Sequence, residues 1–156
     1  MTSPPTHAAD GEPGNDYAGW IVARTGATGF ATELDMGGQS LTADEPVSAG
    51  GGGAGPTPYE LLLGALASCT AMTIRMYASR KKWPLESVVV RIRDTPAHIT
   101  DCLNCEIQEV GVRSLDRVVH FEGPLSAEQH TRLLQIADRC PVKQTLARGI
   151  QIRTVE

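Results

Sequence analysis

From Thr57 to Ser79 the chain reads TPYELLLGALASCTAMTIRMYAS, a stretch that is apolar on nearly every face and carries one cysteine, Cys69, near its middle. Thr57 suits an N-cap, Pro58 suits the first helical position, and Glu60 completes the S/T-x-x-E capping box, so the sequence predicts a helix that starts there. Leu61, Leu62, Leu63, Leu66, Met72, Ile74 and Met76 leave no wide polar face before Arg75. A helix hydrophobic all round has to be covered on all sides. Its uncharged run is shorter than the roughly 20 residues a bilayer span needs, and Arg75, Arg80, Lys81 and Lys82 follow closely, so the expected cover is protein. Gly64, Ala65, Ala67 and Ser68 are small enough to admit another helix closely, which points to a second copy of the same helix.

With 156 residues the chain is expected to form one domain over residues 17–156, after a Pro- and Gly-containing tail at 1–16. A formal net charge of −4 argues against nucleic acid or an anionic membrane as partner, since both select basic faces. The tail has no apolar run of the kind a secretory signal carries, and a cytoplasmic location is expected.

Around the helix the pattern is mainly β. Ala18 to Arg24, Gly29 to Leu34 and Gln39 to Ala43 are expected to form a small antiparallel meander broken by Thr25-Gly26-Ala27-Thr28 and Met36-Gly37-Gly38. Asp44 to Gly55, with four consecutive glycines, reads as a flexible connection. Trp83-Pro84 stops the helix, SVVVRIR at Ser87 to Arg93 is a strand, and Leu115 to Phe121 is another, with loop expected between Asp94 and Val110. Ser126 with Gln129 opens a helix to about Asp138, Cys140-Pro141 opens a further one ending at Gly149, and Gln151 to Val155 is expected to close as a strand. Segregated strands and helices of this kind define an α+β class.

In a reducing compartment four cysteines are catalytic, metal-binding or inert rather than a disulfide framework. Cys140, just before Pro141, falls at a helix N-cap, where unpaired N–H groups favour a thiolate. Cys69 lies in apolar surroundings, where burial alone leaves a thiol unreactive. Cys102 and Cys105 form a CxxC that, with His98 and either Asp101 or an outside residue, offers a zinc site; a lone CxxC is a weak metal signal, a redox-active or incidental pair is the favoured reading, and no cofactor is assigned. His120 and His130 read as surface residues.

The pattern PYELLLGALASCTAMT, followed far downstream by IADRCPVKQTL, resembles the OsmC/Ohr family over roughly Ala18 to Thr154. The resemblance implies an OsmC-like fold, with antiparallel sheets around long buried central helices, assembled as an intertwined homodimer with composite sites at the interface. It implies a thiol peroxidase in which Cys69 attacks the peroxide and becomes a sulfenic acid, Cys140 resolves it as a disulfide, and a dithiol reduces that bridge. Typical members carry a glutamate ten positions before the first cysteine and an arginine in an early turn. Here Tyr59 holds the first position and Gly26-Ala27-Thr28-Gly29 the second, leaving Arg24, just upstream, as the candidate activator. Lys143 stands where the related CPVH pattern has histidine. The alternative function is a non-catalytic module that binds a small apolar ligand and keeps its cysteines as vestiges.

Overall fold

The computed structural model describes residues 19–95 and 114–154, which fall into two compact units dividing between Tyr59 and Glu60. The tail expected at 1–16 and the segment bearing His98, Cys102 and Cys105 lie outside the described residues.

In the N-terminal unit, β1 (Val22–Thr25), β2 (Thr32–Asp35) and β3 (Ser40–Ala43) form an antiparallel sheet in that order. The meander is the one expected, but β1 and β2 start later, because Gly19 and Gly29 take positive φ (85° and 76°) and break the extended run. Arg24 pairs in register with Glu33.

The connection after β3 departs from the expected flexible linker. Val47–Ala49 forms a 3-10 turn, and the buried Asp44 carboxylate accepts from the backbone N–H groups of Glu45 (2.8 Å), Gly52 (3.0 Å) and Ala54 (3.1 Å). The glycines serve close approach instead: a Cβ at Gly51 would collide with the Glu45 carbonyl and one at Gly55 with that of Thr42. The Ala54 N–H bond, opposed by burial and reinforced by the N–H groups of Glu45, Gly52 and Gly53, holds the Asp44 carboxyl below its ordinary 3.8.

Through the second unit runs α1 (Pro58–Lys81), one residue past Thr57 as expected. It ends where Lys82 turns left-handed (φ 53°) and the Trp83 N–H returns to the Ala78 carbonyl at 3.0 Å. By length and composition α1 does meet the requirement for crossing a membrane, contrary to the sequence reading. Every fourth residue from Leu66 (Leu66, Thr70, Ile74, Ala78) is nevertheless buried within the chain. Ile74 and Ala78 join Leu85, Phe121, Leu133, Ile136 and Ala137 in one core. Complete burial of a side chain such as Ile74 contributes about 1.5–3 kcal/mol. Cover on all sides is not reached among the described residues, where Met72 and Met76 stay 64% and 57% exposed.

The core is completed by β4 (Ser87–Thr95) paired antiparallel with β5 (Ser114–Glu122), followed by α2 (Ala127–Ala137) and α3 (Pro141–Arg148). Strand β5 alternates, with Leu115, Arg117, Val119 and Phe121 turned inward. Both bonds of the Ser126/Gln129 capping box form, at 3.2 and 2.9 Å. The closing strand does not: residues 151–154 take no strand conformation, and Ile152 is 89% exposed with no neighbouring strand among the described residues.

A carboxylate held below its ordinary value stabilises the fold at neutral pH and loses that contribution as pH falls through the depressed value. Asp44→Asn is therefore expected to lower the thermal unfolding temperature at pH 7, with the deficit shrinking in acid. A deficit that stays constant down to about pH 2 contradicts this role for the carboxylate.

Candidate functional site

Cys140 closes the three-residue link between α2 and α3, and its place is fixed from both sides. Backbone bonds run from its N–H to the Ala137 carbonyl (3.3 Å) and from the Gln144 N–H to its own carbonyl (3.0 Å). Arg117, from the inner face of β5, donates to the Ala137 carbonyl (3.0 Å) and to the Asp138 carboxylate (2.9 Å), so strand and helix end are tied immediately before the cysteine. Cys140 then stands as the N-cap of α3 with Pro141 at the first helical position, as the sequence predicts, and is wholly buried.

Helix α1 supplies the other half of the site. Cys69 and Thr70 are adjacent on it; Cys69 is half-buried and Thr70 wholly buried. Both thiols are free, and Cys69 is near enough to act on the Cys140 sulfur. Burial pushes the Cys140 thiol up. That push is outweighed by the backbone N–H of Lys143, the hydroxyl of Thr70, the thiol of Cys69 and the backbone N–H of Val142, which together hold Cys140 below the ordinary thiol value of 9.0. No side-chain hydrogen bond of regular cap geometry forms at this helix start, so the effect is that of donors facing a polarisable sulfur. The Lys143 ammonium is engaged elsewhere, 3.6 Å from Asp138, and contributes through its main chain.

The remaining sequence candidates fall elsewhere. Arg24 is exposed on β1 in the N-terminal unit and lines a cleft of about 380 Å³ with Glu33, Asp35 and Thr42. Tyr59, at the position of the family glutamate, is 42% exposed. Among the described residues no group of three His, Cys, Asp or Glu side chains is placed to hold a metal. A cleft of about 900 Å³ between α1 and α2, with Tyr77, Lys81, Glu128 and Arg132 on its walls, contains neither cysteine. Thr70 is the residue that sequence reasoning passed over. Its signal was a hydroxyl in the middle of an otherwise apolar helix, next to the cysteine.

Residues 50–155 match the family model for OsmC-like protein. The chain belongs to the OsmC-like protein family. Its fold is similar to that of the OsmC-like protein from Mycoplasma pneumoniae, with a TM-score of 0.63 at 17% identity over 81% of this chain and 85% of that chain. It is also similar to an organic hydroperoxide resistance protein OsmC from Legionella pneumophila, with a TM-score of 0.59 at 23% identity over 83% and 89% of the two chains. A third likeness is to the organic hydroperoxide resistance protein OhrB of Bacillus subtilis, with a TM-score of 0.53 at 20% identity over 83% and 89%. No curated protein matches the chain. In this OsmC-like chain, then, the antiparallel sheets and the long helix are the family architecture, and the two cysteines meet where α1 passes the start of α3.

The unequal burial of the two sulfurs is directly measurable. A brief pulse of a bulky maleimide on the native protein, followed by peptide mapping, is expected to label Cys69 before Cys140. Equal labelling of both, or Cys140 first, contradicts the burial described here.

Proposed function

We propose that this OsmC-like protein is a cytoplasmic, homodimeric thiol peroxidase that reduces organic or hydrogen peroxide through Cys69 and Cys140. The observation that carries this reading is the meeting of two free thiols from segments distant in sequence, one of them held below the ordinary thiol range. That two of the similar structures are organic hydroperoxide resistance proteins supports it.

In the first step the Cys69 sulfur attacks one peroxide oxygen, the O–O bond breaks, and the proton lost by Cys69 ends on the leaving alkoxide as an alcohol. Cys69 is then a sulfenic acid. In the second step Cys140 releases its thiol proton, its sulfur attacks the Cys69 sulfur, an S–S bond forms as the S–O bond breaks, and the departing hydroxide takes up a proton to leave as water. A dithiol reductant restores both thiols by exchange. The homodimer is supported by the exposed Met72 and Met76 on a helix apolar all round, a face that a second copy would cover. Arg24 is proposed as the activating cation, supported by its place just upstream of the early turn.

One departure favours a second reading, a small-molecule binding module with vestigial cysteines: Tyr59 occupies the position of the family glutamate. A ligand retained in native mass measurements would support it.

Stoichiometric cumene hydroperoxide is expected to convert the wild-type protein to one carrying a Cys69–Cys140 bridge, while Cys69→Ser loses at least about a hundredfold in peroxide consumption. Unchanged consumption by Cys69→Ser, or free thiols at both positions after treatment, overturns the peroxidase reading. Within the same assay, Arg24→Met is expected to slow the first step; an unaltered rate removes Arg24 from the site.

A further inference from the structure

Arg117 stands in the inward register of β5, in line with Leu115, Val119 and Phe121, and its side chain is only 18% exposed. A cation in such a register costs desolvation, and an apolar side chain of similar length would fill the place at no loss of stability. What the guanidinium adds is direction. Nη1 donates to the Ala137 carbonyl at 3.0 Å and Nη2 to the Asp138 carboxylate at 2.9 Å. The Ala137 carbonyl also accepts the N–H of Cys140 at 3.3 Å, so a single oxygen, with its two lone pairs, joins the strand cation to the main chain of the cysteine. Asp138 extends the tie, its carboxylate lying 3.6 Å from the Lys143 ammonium in the first turn of α3.

Local bonds give the link between α2 and α3 its shape but not its place. The Arg139 N–H to the Ile136 carbonyl (2.9 Å), the Cys140 N–H to Ala137 and the Gln144 N–H to Cys140 (3.0 Å) all run within residues 136–144. Among the described residues, the side-chain hydrogen bonds from the sheet to this link both come from Arg117. The inner one, to Ala137, carries a full charge on its donor and sits away from water, which strengthens it; the outer one, to an Asp138 side chain 62% exposed, is the weaker.

We propose that Arg117 is a positioning residue for the cysteine pair, holding the link so that the Cys140 sulfur stays within bonding reach of Cys69. The proposal deepens the peroxidase reading and rests on it for the step that follows peroxide. There Cys140 releases its proton and attacks the sulfur of the Cys69 sulfenic acid, an S–S bond forms as the S–O bond breaks, and the departing hydroxide takes up a proton to leave as water. Arg117 touches neither sulfur and acts through Ala137 and Asp138. Cys69 is carried by α1, outside the segment Arg117 holds, so the attack on peroxide does not depend on it.

Two measurements test this. In a glutathione buffer, without peroxide, the two protein thiols reduce one glutathione disulfide, the protein bridge forms, and both protons end on glutathione thiols. The equilibrium constant is the effective concentration of one protein thiol at the other. Arg117→Met keeps the apolar stem, removes both donors, and is expected to lower that constant about tenfold, with the Cys69–Cys140 bridge located by peptide mass. After one equivalent of cumene hydroperoxide, the same variant is expected to form the dimedone-trapped Cys69 sulfenic acid at the wild-type rate and to bridge about tenfold more slowly. A purely structural arginine would slow both steps together. Equal slowing of both, or wild-type values for constant and bridging rate, overturns the proposal, as does a wild-type protein that forms no such bridge in glutathione. Should the methionine variant fail to fold, the exposed Asp138→Asn decides: about a threefold fall in the constant is expected from loss of the outer bond, and a wild-type constant overturns the proposal. If wild type bridges in glutathione yet leaves cumene hydroperoxide unreduced, the peroxidase reading fails while the positioning of the pair by Arg117 stands on the glutathione result.

Discussion

One slanting stripe of α1 determines what the second unit can do. Leu66, Thr70, Ile74 and Ala78 are the side chains this helix buries in its own chain, and Ile74 and Ala78 lock it to Phe121 of β5 and to Leu133, Ile136 and Ala137 of α2. Because Thr70 belongs to that same stripe, the packing that anchors the helix also carries Thr70 and Cys69 to the start of α3. Arg117 completes the constraint from the sheet side by holding the last carbonyl of α2 and the Asp138 carboxylate. A change in the register of α1 would move the hydroxyl and the thiol away together.

The electrostatics of the pair follow from burial set against donors. Removing a sulfur from water disfavours its charged form, and at Cys140 this is the largest single influence. Four donors reverse it: two main-chain N–H groups at a helix start, one hydroxyl and one thiol. None of these is a formal charge, and the Lys143 ammonium lies 3.6 Å from Asp138. The site thus handles a sulfur anion with dipoles already in place. That arrangement is consistent with a chain in which Tyr59 stands at the position of the family glutamate.

Much of this was legible in the sequence, and the reasons are local. The helix start at Pro58, the Ser126/Gln129 box and Cys140 ahead of Pro141 were readable because caps and proline act over a few residues. The pairing of Cys69 with Cys140 could be inferred only from resemblance, since no local rule joins residues so far apart. Asp44 to Gly55 misled: a glycine run has the composition of a flexible linker, and the buried carboxylate that gathers its N–H groups leaves no mark on hydropathy. Gln151 to Thr154 misled in the opposite sense, because alternation supplies a strand's pattern without the partner a strand requires. Thr70 was overlooked because a threonine in an apolar helix is ordinarily satisfied by the carbonyl four residues earlier, as it is here.

The claim at the centre of this account is that Cys140, though wholly buried, is the sulfur its surroundings prepare to carry charge. The most direct measurement is the ¹³Cβ chemical shift of selectively labelled Cys140 followed across pH in the reduced protein. A transition to thiolate values below the ordinary 9.0 is expected. A resonance that stays at thiol values up to or beyond that pH would contradict the account, leaving Cys140 as an inert packing residue at the start of a helix.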